Sequence, residues 1–317
     1  MESVYLHSRR EFLVRSQNRD GGWGYFPGKQ SWLEPTAYAA LALHGEPAAT
    51  KALDLVLGWQ NPDGSFCPAG AVVTPSWTTA LGVTLASLAG ETGAAGRGVD
   101  YLLQTHGTEA DNWLAKVVSK VLPQVAQDRD PFLLAWPWRE GATSWIEPTA
   151  HAIVALRVAA SRKIARPSLA QRVDLGQRMI LSLRCQDGGW NYGSRSALNV
   201  ELPSYPETTA VALLGLAGRG DVKNPVEYGR KLALTPQAPL ASAWLRVSLA
   251  LHGSPLPPPP TDRPVEGNDI LLAAVEALGA EGGNAHLFHP TGAIVGHASA
   301  CAELQLRSAR AYGDRKS

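Results

Sequence analysis

At 317 residues, with 45% apolar and only 18% charged side chains, the chain has ample material for one continuous core, and its composition excludes a disordered protein. A formal net charge of +1 without any long basic run excludes the electrostatic footprint of a nucleic-acid binder. Three widely spaced cysteines, Cys67, Cys185 and Cys301, exclude a disulfide framework and point to a reduced, cytoplasmic compartment.

The first predicted element is a helix over 3–17, with Tyr5, Phe12 and Leu13 on one face and Arg9, Arg10 and Arg15 on the other. Ser8-Arg9-Arg10-Glu11-Phe12-Leu13 has the look of a twin-arginine export signal. The polar residues that follow, Arg15 to Arg19, cannot serve as its apolar segment, so an amphipathic helix is expected instead. No apolar run approaches the roughly 20 residues needed to cross a bilayer, and no amphipathic anchor argues for membrane association.

After this helix comes Gln17, then Asp20-Gly21-Gly22-Trp23, then Ser31-Trp32-Leu33-Glu34-Pro35-Thr36-Ala37, which opens a nearly uncharged helix over 35–45. The unit recurs. A helix over 47–60 ends in Gln60 and runs through Asp63-Gly64-Ser65-Phe66 to Pro75-Ser76-Trp77-Thr78-Thr79-Ala80 and an apolar helix over 76–90. A helix over 94–105 is followed by a long stretch, 107–143, which reads as an insertion carrying Trp113, Trp136-Pro137-Trp138 and a helical segment near 111–122. Ser144-Trp145-Ile146-Glu147-Pro148-Thr149-Ala150 then opens a helix over 147–161. A helix over 168–185 leads through Gln186-Asp187-Gly188-Gly189-Trp190 to Ser204-Tyr205-Pro206-Glu207-Thr208-Thr209-Ala210 and a helix over 205–217. The remaining pairs are expected at 222–234 with 239–252 and at 268–280 with 294–310, joined across the stiff run Ser254 to Pro260.

Asp-Gly supplies the turn and a positive-φ residue after a helix, while the Gln amide and the aromatic are placed to close over the helix end. Helices apolar all round belong inside, and their more charged partners belong outside. One such pair cannot bury its inner helix alone, whereas a closed ring can. The expected architecture is therefore all-α: one domain over 1–317, an α/α toroid of about six outer/inner helix pairs.

The Gln…Asp-Gly-Gly-Trp copies resemble the QW repeats of squalene–hopene cyclases, within the broader superfamily of terpenoid cyclases and protein prenyltransferases. The likeness covers about residues 8–218. In those cyclases an Asp-x-Asp-Asp-Thr-Ala motif opens an inner helix, and its middle Asp protonates an alkene or epoxide. By resemblance that position falls on Glu34, Glu147 and Glu207. The first Asp is replaced by Trp32, Trp145 or Tyr205 and the last by Pro35, Pro148 or Thr208. The resemblance thus implies a terpene-cyclase-like protein with a reduced acid motif, acting on an isoprenoid or other apolar substrate in a central cavity. The zinc ligands of the prenyltransferases are not matched: Ala241-Ser242-Ala243-Trp244 stands where Asp-x-Cys should be, and only His297 fits. No metal and no cofactor are expected, since Gly-rich phosphate loops are also absent.

Two readings stand for the glutamates. As residues at helix starts they cap the helix and complement its dipole, with Pro35 and Pro148 at the first helical position. As a set they ring one mouth of the toroid. Trp32, Trp145, Tyr205 and Trp77 either pack over helix ends or line an apolar cavity, and Trp136 and Trp138 are pocket candidates because they fall outside the repeat. Asp128-Arg129-Asp130 reads as a solvated turn. Two rival functions remain open: a non-catalytic toroid binding a ligand or a protein, and a carbohydrate lyase or hydrolase, which needs paired carboxylates about 5–10 Å apart.

Overall fold

A computed structural model describes residues 3–121, 130–197, 200–259 and 268–289. Among these are twelve α-helices: α1 (Val4–Arg15), α2 (Leu33–Ala42), α3 (Pro47–Leu57), α4 (Thr79–Ala89), α5 (Thr92–Gln104), α6 (Trp113–Val121), α7 (Ile146–Ser161), α8 (Leu169–Ser182), α9 (Pro206–Leu216), α10 (Lys223–Ala233), α11 (Pro239–Leu251) and α12 (Ile270–Gly279). The only strands among the described residues are a two-residue hairpin, β1 (Ser196–Ala197) and β2 (Val200–Glu201).

Six helices form a closed inner ring in the order α2, α4, α7, α9, α11, α12, with α12 packed back onto α2. Outside it, α3 lies against α2 and α4, α5 against α4 and α7, α8 against α7 and α9, and α10 against α9 and α11. The inner helices are buried over nearly their whole length, as in α4, α9 and α12. The outer helices bury one face only, as in α3 and α5. The division of apolar and charged residues along the chain therefore becomes the two layers of the ring.

The sixth pair departs from the expected pattern. The segment 268–280, expected outside, is the inner helix α12, and its outer partner is α1 from the other end of the chain. The reason is visible in Ile-Leu-Leu-Ala-Ala-Val-Glu-Ala-Leu-Gly, which is apolar all round except for Glu276. Arg9 of α1 supplies the counter-charge: its Nε lies 3.0 Å from Glu276 Oε2, with side-chain exposures of 1% and 4%. Arg9 is thus buried, not on the polar face assigned from its spacing, and its guanidinium also stacks on the Tyr5 ring at 3.7 Å. The inner helix expected at 294–310 lies outside the described residues, together with Cys301 and His297. A 3₁₀ turn, Asn284–Phe288, sits against α2, α7, α11 and α12 at the end of the ring where those helices finish. There Asn284 Nδ2 donates to Leu41 O (3.0 Å) and Ala42 O (3.2 Å).

Each repeat is locked by the same contacts. The backbone N–H of Trp23 donates to Thr36 Oγ1 (2.9 Å), and that hydroxyl donates back to Trp23 O (3.1 Å). The same clamp joins Phe66 to Thr79, Trp136 to Thr149 and Trp190 to Thr209. The indole N–H of Trp23, Trp136 and Trp190 caps the preceding outer helix by donating to Leu13 O, Leu102 O and Ile180 O. Gln17 and Gln60 each reach two carbonyls, one in their own turn (Gly21, Gly64) and one in the first turn of the next outer helix (Ala48, Ala94). Gly64 has φ +93°, and a Cβ there would stand 2.2 Å from Arg97 O, so this turn requires glycine for both conformation and space.

Trp136 is therefore a member of the repeat, which corrects its placement outside it. The stretch 107–143 separates the third aromatic from its helix, so the spacing signal is lost while the contacts persist. Here Arg172 of α8 does the bridging, donating to Thr105 O and Leu134 O at 2.7 Å and stacking over the Trp136 ring at 4.1 Å. The clamp gives a testable expectation. Thr149→Val leaves a fully buried amide without its acceptor and costs about 1–3 kcal/mol in urea unfolding, while Thr149→Ser keeps the bond and costs less.

Candidate functional site

The loops that join outer to inner helices bring the starts of α2, α4, α7, α9 and α11 to one end of the ring, and with them the three glutamates; the start of α12 joins them there, its Ile270 N–H donating to Tyr25 O at 2.9 Å. None is an N-cap. Helices α2 and α7 begin one residue before the glutamate, at Leu33 and Ile146, and the capping positions belong to Trp32, Trp145 and Tyr205. Pro35 and Pro148 accordingly stand at the third helical position, still within the first turn where an N–H has no intrahelical partner. The backbone N–H groups of Leu33 and Ile146 donate instead to Pro68 O (2.8 Å) and Tyr192 O (3.1 Å), carbonyls of the following repeat. The local design thus relieves the glutamates of a capping duty.

Their environment is that of a shared mouth. Glu34 accepts a 2.5 Å hydrogen bond from the Tyr25 hydroxyl. Its acidity is weakened by burial and by the charges of Glu207 and Asp269, against the opposing effect of the Tyr25 bond. Glu207, the most exposed of the three, is likewise shifted up by burial. Glu147 is pushed up to about 8, first by burial and then by the charges of Glu34 and Glu207. Three carboxylates within Coulombic reach of one another cannot all ionise cheaply, and Glu147 is the one that keeps its proton near neutrality.

One helical turn beneath this ring, aromatic side chains meet on the axis. Tyr38 follows Glu34 by four residues and His151 follows Glu147 by four, so each lies directly below its glutamate. The Tyr38 hydroxyl is 3.2 Å from His151 Nε2. The Tyr38 and Trp244 rings pack edge to face at 5.2 Å, and His151 lies 6.1 Å from Trp244. These three residues come from α2, α7 and α11, alternate members of a six-helix ring, so their mutual contact fills the axis at that level. The central cavity expected from the sequence is filled at that level. Trp77 stacks on His151 at 5.1 Å and meets Trp138 edge to face at 5.3 Å, extending the aromatic floor toward the start of α4. A narrow crevice beside them is walled by Trp77, Trp136, Tyr101, Glu140 and Pro148.

Of the residues singled out in the sequence, Glu34, Glu147, Glu207, Trp77 and Trp138 are thus gathered around one mouth. Trp32 and Trp145 sit half-buried at the rim, and Tyr205 is exposed and stacked on Tyr192 at 5.1 Å. Trp136 is committed to the repeat. Of the Asp128-Arg129-Asp130 turn only Asp130 is among the described residues, where its Oδ1 accepts from the Phe132 N–H at 2.9 Å. Tyr38, His151 and Trp244 were missed. The signal for two of them is the i+4 register from the glutamates, where the third copy carries only Val211; Trp244 has no such marker.

Burial pushes the His151 imidazole down to about 3, so it is neutral and accepts or donates as a neutral ring. With its unfolded value near 6.5, the folded state gains from His151 above that pH and loses the gain as the pH falls toward 3. His151→Gln, which keeps a partner for Tyr38, is expected to flatten the acid side of the wild-type Tm profile between pH 6.5 and 3.

No family model matches the chain. In its described architecture it superposes on a variant of the type II terpene cyclase MstE from Scytonema, solved with geranylgeranyl dihydroxybenzoate as substrate. The TM-score is 0.53 at 14% identity, over 91% of this chain and 97% of that one. The chain shares the α/α-toroid fold of that cyclase. A complex of an MstE variant with its product, merosterolic acid A, aligns over 86% of this toroid and 77% of that chain at 15% identity and a TM-score of 0.49. In sequence, 59 residues are 46% identical to drimenyl diphosphate synthase of Streptantibioticus cattleyicolor, spanning 17% of this toroid and 11% of the synthase. The matched part is thus about a tenth of that relative's length.

Proposed function

We propose that this toroid binds an isoprenoid or similarly apolar chain at its glutamate-lined mouth and acts on it as a terpene cyclase with a reduced acid motif. The observation that carries the reading is the proton-retaining Glu147 set between Glu34 and Glu207 above an aromatic floor. A general acid working at neutral pH needs a pKa near that pH, and Glu147 has it. In the proposed step the Glu147 carboxyl O–H bond breaks and its proton adds to a terminal alkene carbon. The alkene electron pair forms the new C–H bond and leaves a tertiary cation. The electron pair of an internal alkene of the same chain then attacks that cation, forming the ring C–C bond and moving the charge to a ring carbon; the π faces of Trp77 and Trp138 stabilise the cations, and loss of a proton from a neighbouring carbon to Glu34, Glu207 or water leaves the final alkene. The fold shared with MstE and the short identity to drimenyl diphosphate synthase support this substrate class. The buried free thiols of Cys67 and Cys185 support a reducing, cytoplasmic setting.

A second reading is favoured by one observation, the filled axis. If Tyr38, His151 and Trp244 hold the bore closed, the toroid binds a ligand without converting it. Incubation with a prenyl diphosphate and with a prenylated dihydroxybenzoate, followed by mass spectrometry of bound and released species, separates the two. A cyclised isomer supports catalysis, an unchanged bound chain supports the binding reading, and absence of either chain removes both.

A further inference from the structure

The carbonyl two residues before each repeat aromatic accepts from a side chain in three of the four repeats. Gln17 Nε2 donates to Gly21 O (2.7 Å) and, across the seam, to Ala48 O of α3 (2.8 Å). Gln60 Nε2 donates likewise to Gly64 O (3.1 Å) and to Ala94 O of α5 (2.8 Å). In the third repeat the donor comes from the other side: Arg172 of α8 gives one N–H to Leu134 O and another to Thr105 O, both at 2.7 Å. Each of these seams is therefore stitched by one side chain with a planar head that offers several N–H groups. The fourth seam, between the end of α8 and α10, has no such stitch. Gly188 O is the equivalent carbonyl, two before Trp190. Arg184 is the equivalent of Gln17, since Cys185 N donates to Gly189 O as Asn18 N does to Gly22 O. Arg184 is exposed, and no donor reaches Gly188 O among the described residues.

The fourth seam is also wider. A Cβ on Gly21 or Gly64 would stand 2.8 Å from Lys51 O or 2.2 Å from Arg97 O, whereas one on Gly188 first meets the Tyr228 ring, at 3.4 Å. The gap is a surface pocket of about 270 Å³ walled by Arg184, Asp187, Gly188, Glu227, Tyr228 and Lys231. Its frame is fixed. Asp187 accepts from the Gly189 and Ser204 N–H groups at 3.1 and 2.9 Å, and the Tyr228 hydroxyl lies 3.0 Å from Ser204 Oγ.

We propose that the α8–α10 seam binds a small amino acid with a planar N–H donor head, a guanidinium or a carboxamide, which supplies the stitch that the chain itself omits. The three stitched seams use these two heads, so the surroundings of the repeat carbonyl already match them. Asp187 and Glu227 add negative charge beside Gly188 O, which favours the guanidinium of the two. Arg184 and Lys231 stand in the same pocket as counter-charges for the carboxylate at the other end of the ligand. The volume falls just under the roughly 300–1,000 Å³ of drug-sized sites, which limits the occupant to about one amino acid. The pocket belongs to the outer layer, and nothing in it depends on the chemistry of the three glutamates.

The test is a ligand-observed NMR titration of the full chain with L-arginine, L-glutamine and L-glutamate at millimolar concentrations. Arginine and glutamine are expected to bind saturably, arginine the more tightly, and glutamate, whose side chain has no N–H head, is not. Arg184→Gln places the amide of the first two repeats in the open seam. It should weaken arginine binding about tenfold or more and raise the urea midpoint. Glu227→Ala should weaken arginine more than glutamine, since only the guanidinium is charged. Both positions are exposed, so the far-UV circular dichroism of either variant should match wild type. The proposal is overturned if neither arginine nor glutamine binds saturably, if glutamate binds as well as they do, or if Arg184→Gln binds arginine as wild type does. The titration reads no turnover, so its outcome is independent of whether Glu147 is an acid.

Discussion

Arg9→Met should destabilise the protein by about 3–5 kcal/mol, read as a lowered urea midpoint without change of fold. Both partners of the Arg9–Glu276 pair are almost completely excluded from water, at 1% and 4% side-chain exposure. Removing one leaves a buried carboxylate unmatched, and that penalty exceeds the net value of the pair itself. The position amplifies the effect. Arg9 is in the first helix and Glu276 in the last described helix of the ring, so the pair joins segments 267 positions apart where the toroid closes. Arg9→Met combined with Glu276→Leu should recover most of the loss, because a well-packed apolar pair of similar volume is close to neutral. A double variant as unstable as the single would show that packing around Tyr5, and not charge, governs this seam.

Glu147→Gln carries the second large effect, and its sign differs between activity and stability. If Glu147 is the acid, conversion of an isoprenoid falls by about 10²–10⁴-fold, the usual contribution of a positioned proton donor. Stability moves the other way. Because the folded pKa is raised to about 8 from an ordinary carboxylate value, the wild-type fold is favoured fully at pH below about 4.5 and loses that advantage as the pH rises through 8. The glutamine variant cannot ionise, so its Tm should exceed that of wild type by a margin that grows from pH 5 to pH 9. A glutamate serving as a helix cap would show lower stability on substitution at every pH. The neighbours offer a further check: Glu34→Gln and Glu207→Gln each remove a negative charge felt by Glu147, and each should move the alkaline limb of the activity profile to lower pH.

Much of this was written in the chain order. The repeats, the two layers and the convergence of Glu34, Glu147 and Glu207 follow from local rules: Asp-Gly turns, apolar helices that need burial, and helix starts delivered to one end by loops of one kind. Spacing identified the repeat wherever the aromatic followed its turn directly, at Trp23, Phe66 and Trp190. It failed at Trp136, because a long intervening stretch hides the pairing with Leu102 and Thr149 that the fold restores.

Which helices are apolar enough to need burial, and which turns link them, could be read locally, since both depend on residues within a few positions of one another. Which helix closes the ring, what Arg9 pairs with, how Tyr38, His151 and Trp244 fill the axis, and how far Glu147 resists ionisation emerged only from the folded ring. Those properties arise from groups up to 267 positions apart in the chain meeting where water is excluded, and no local pattern encodes them.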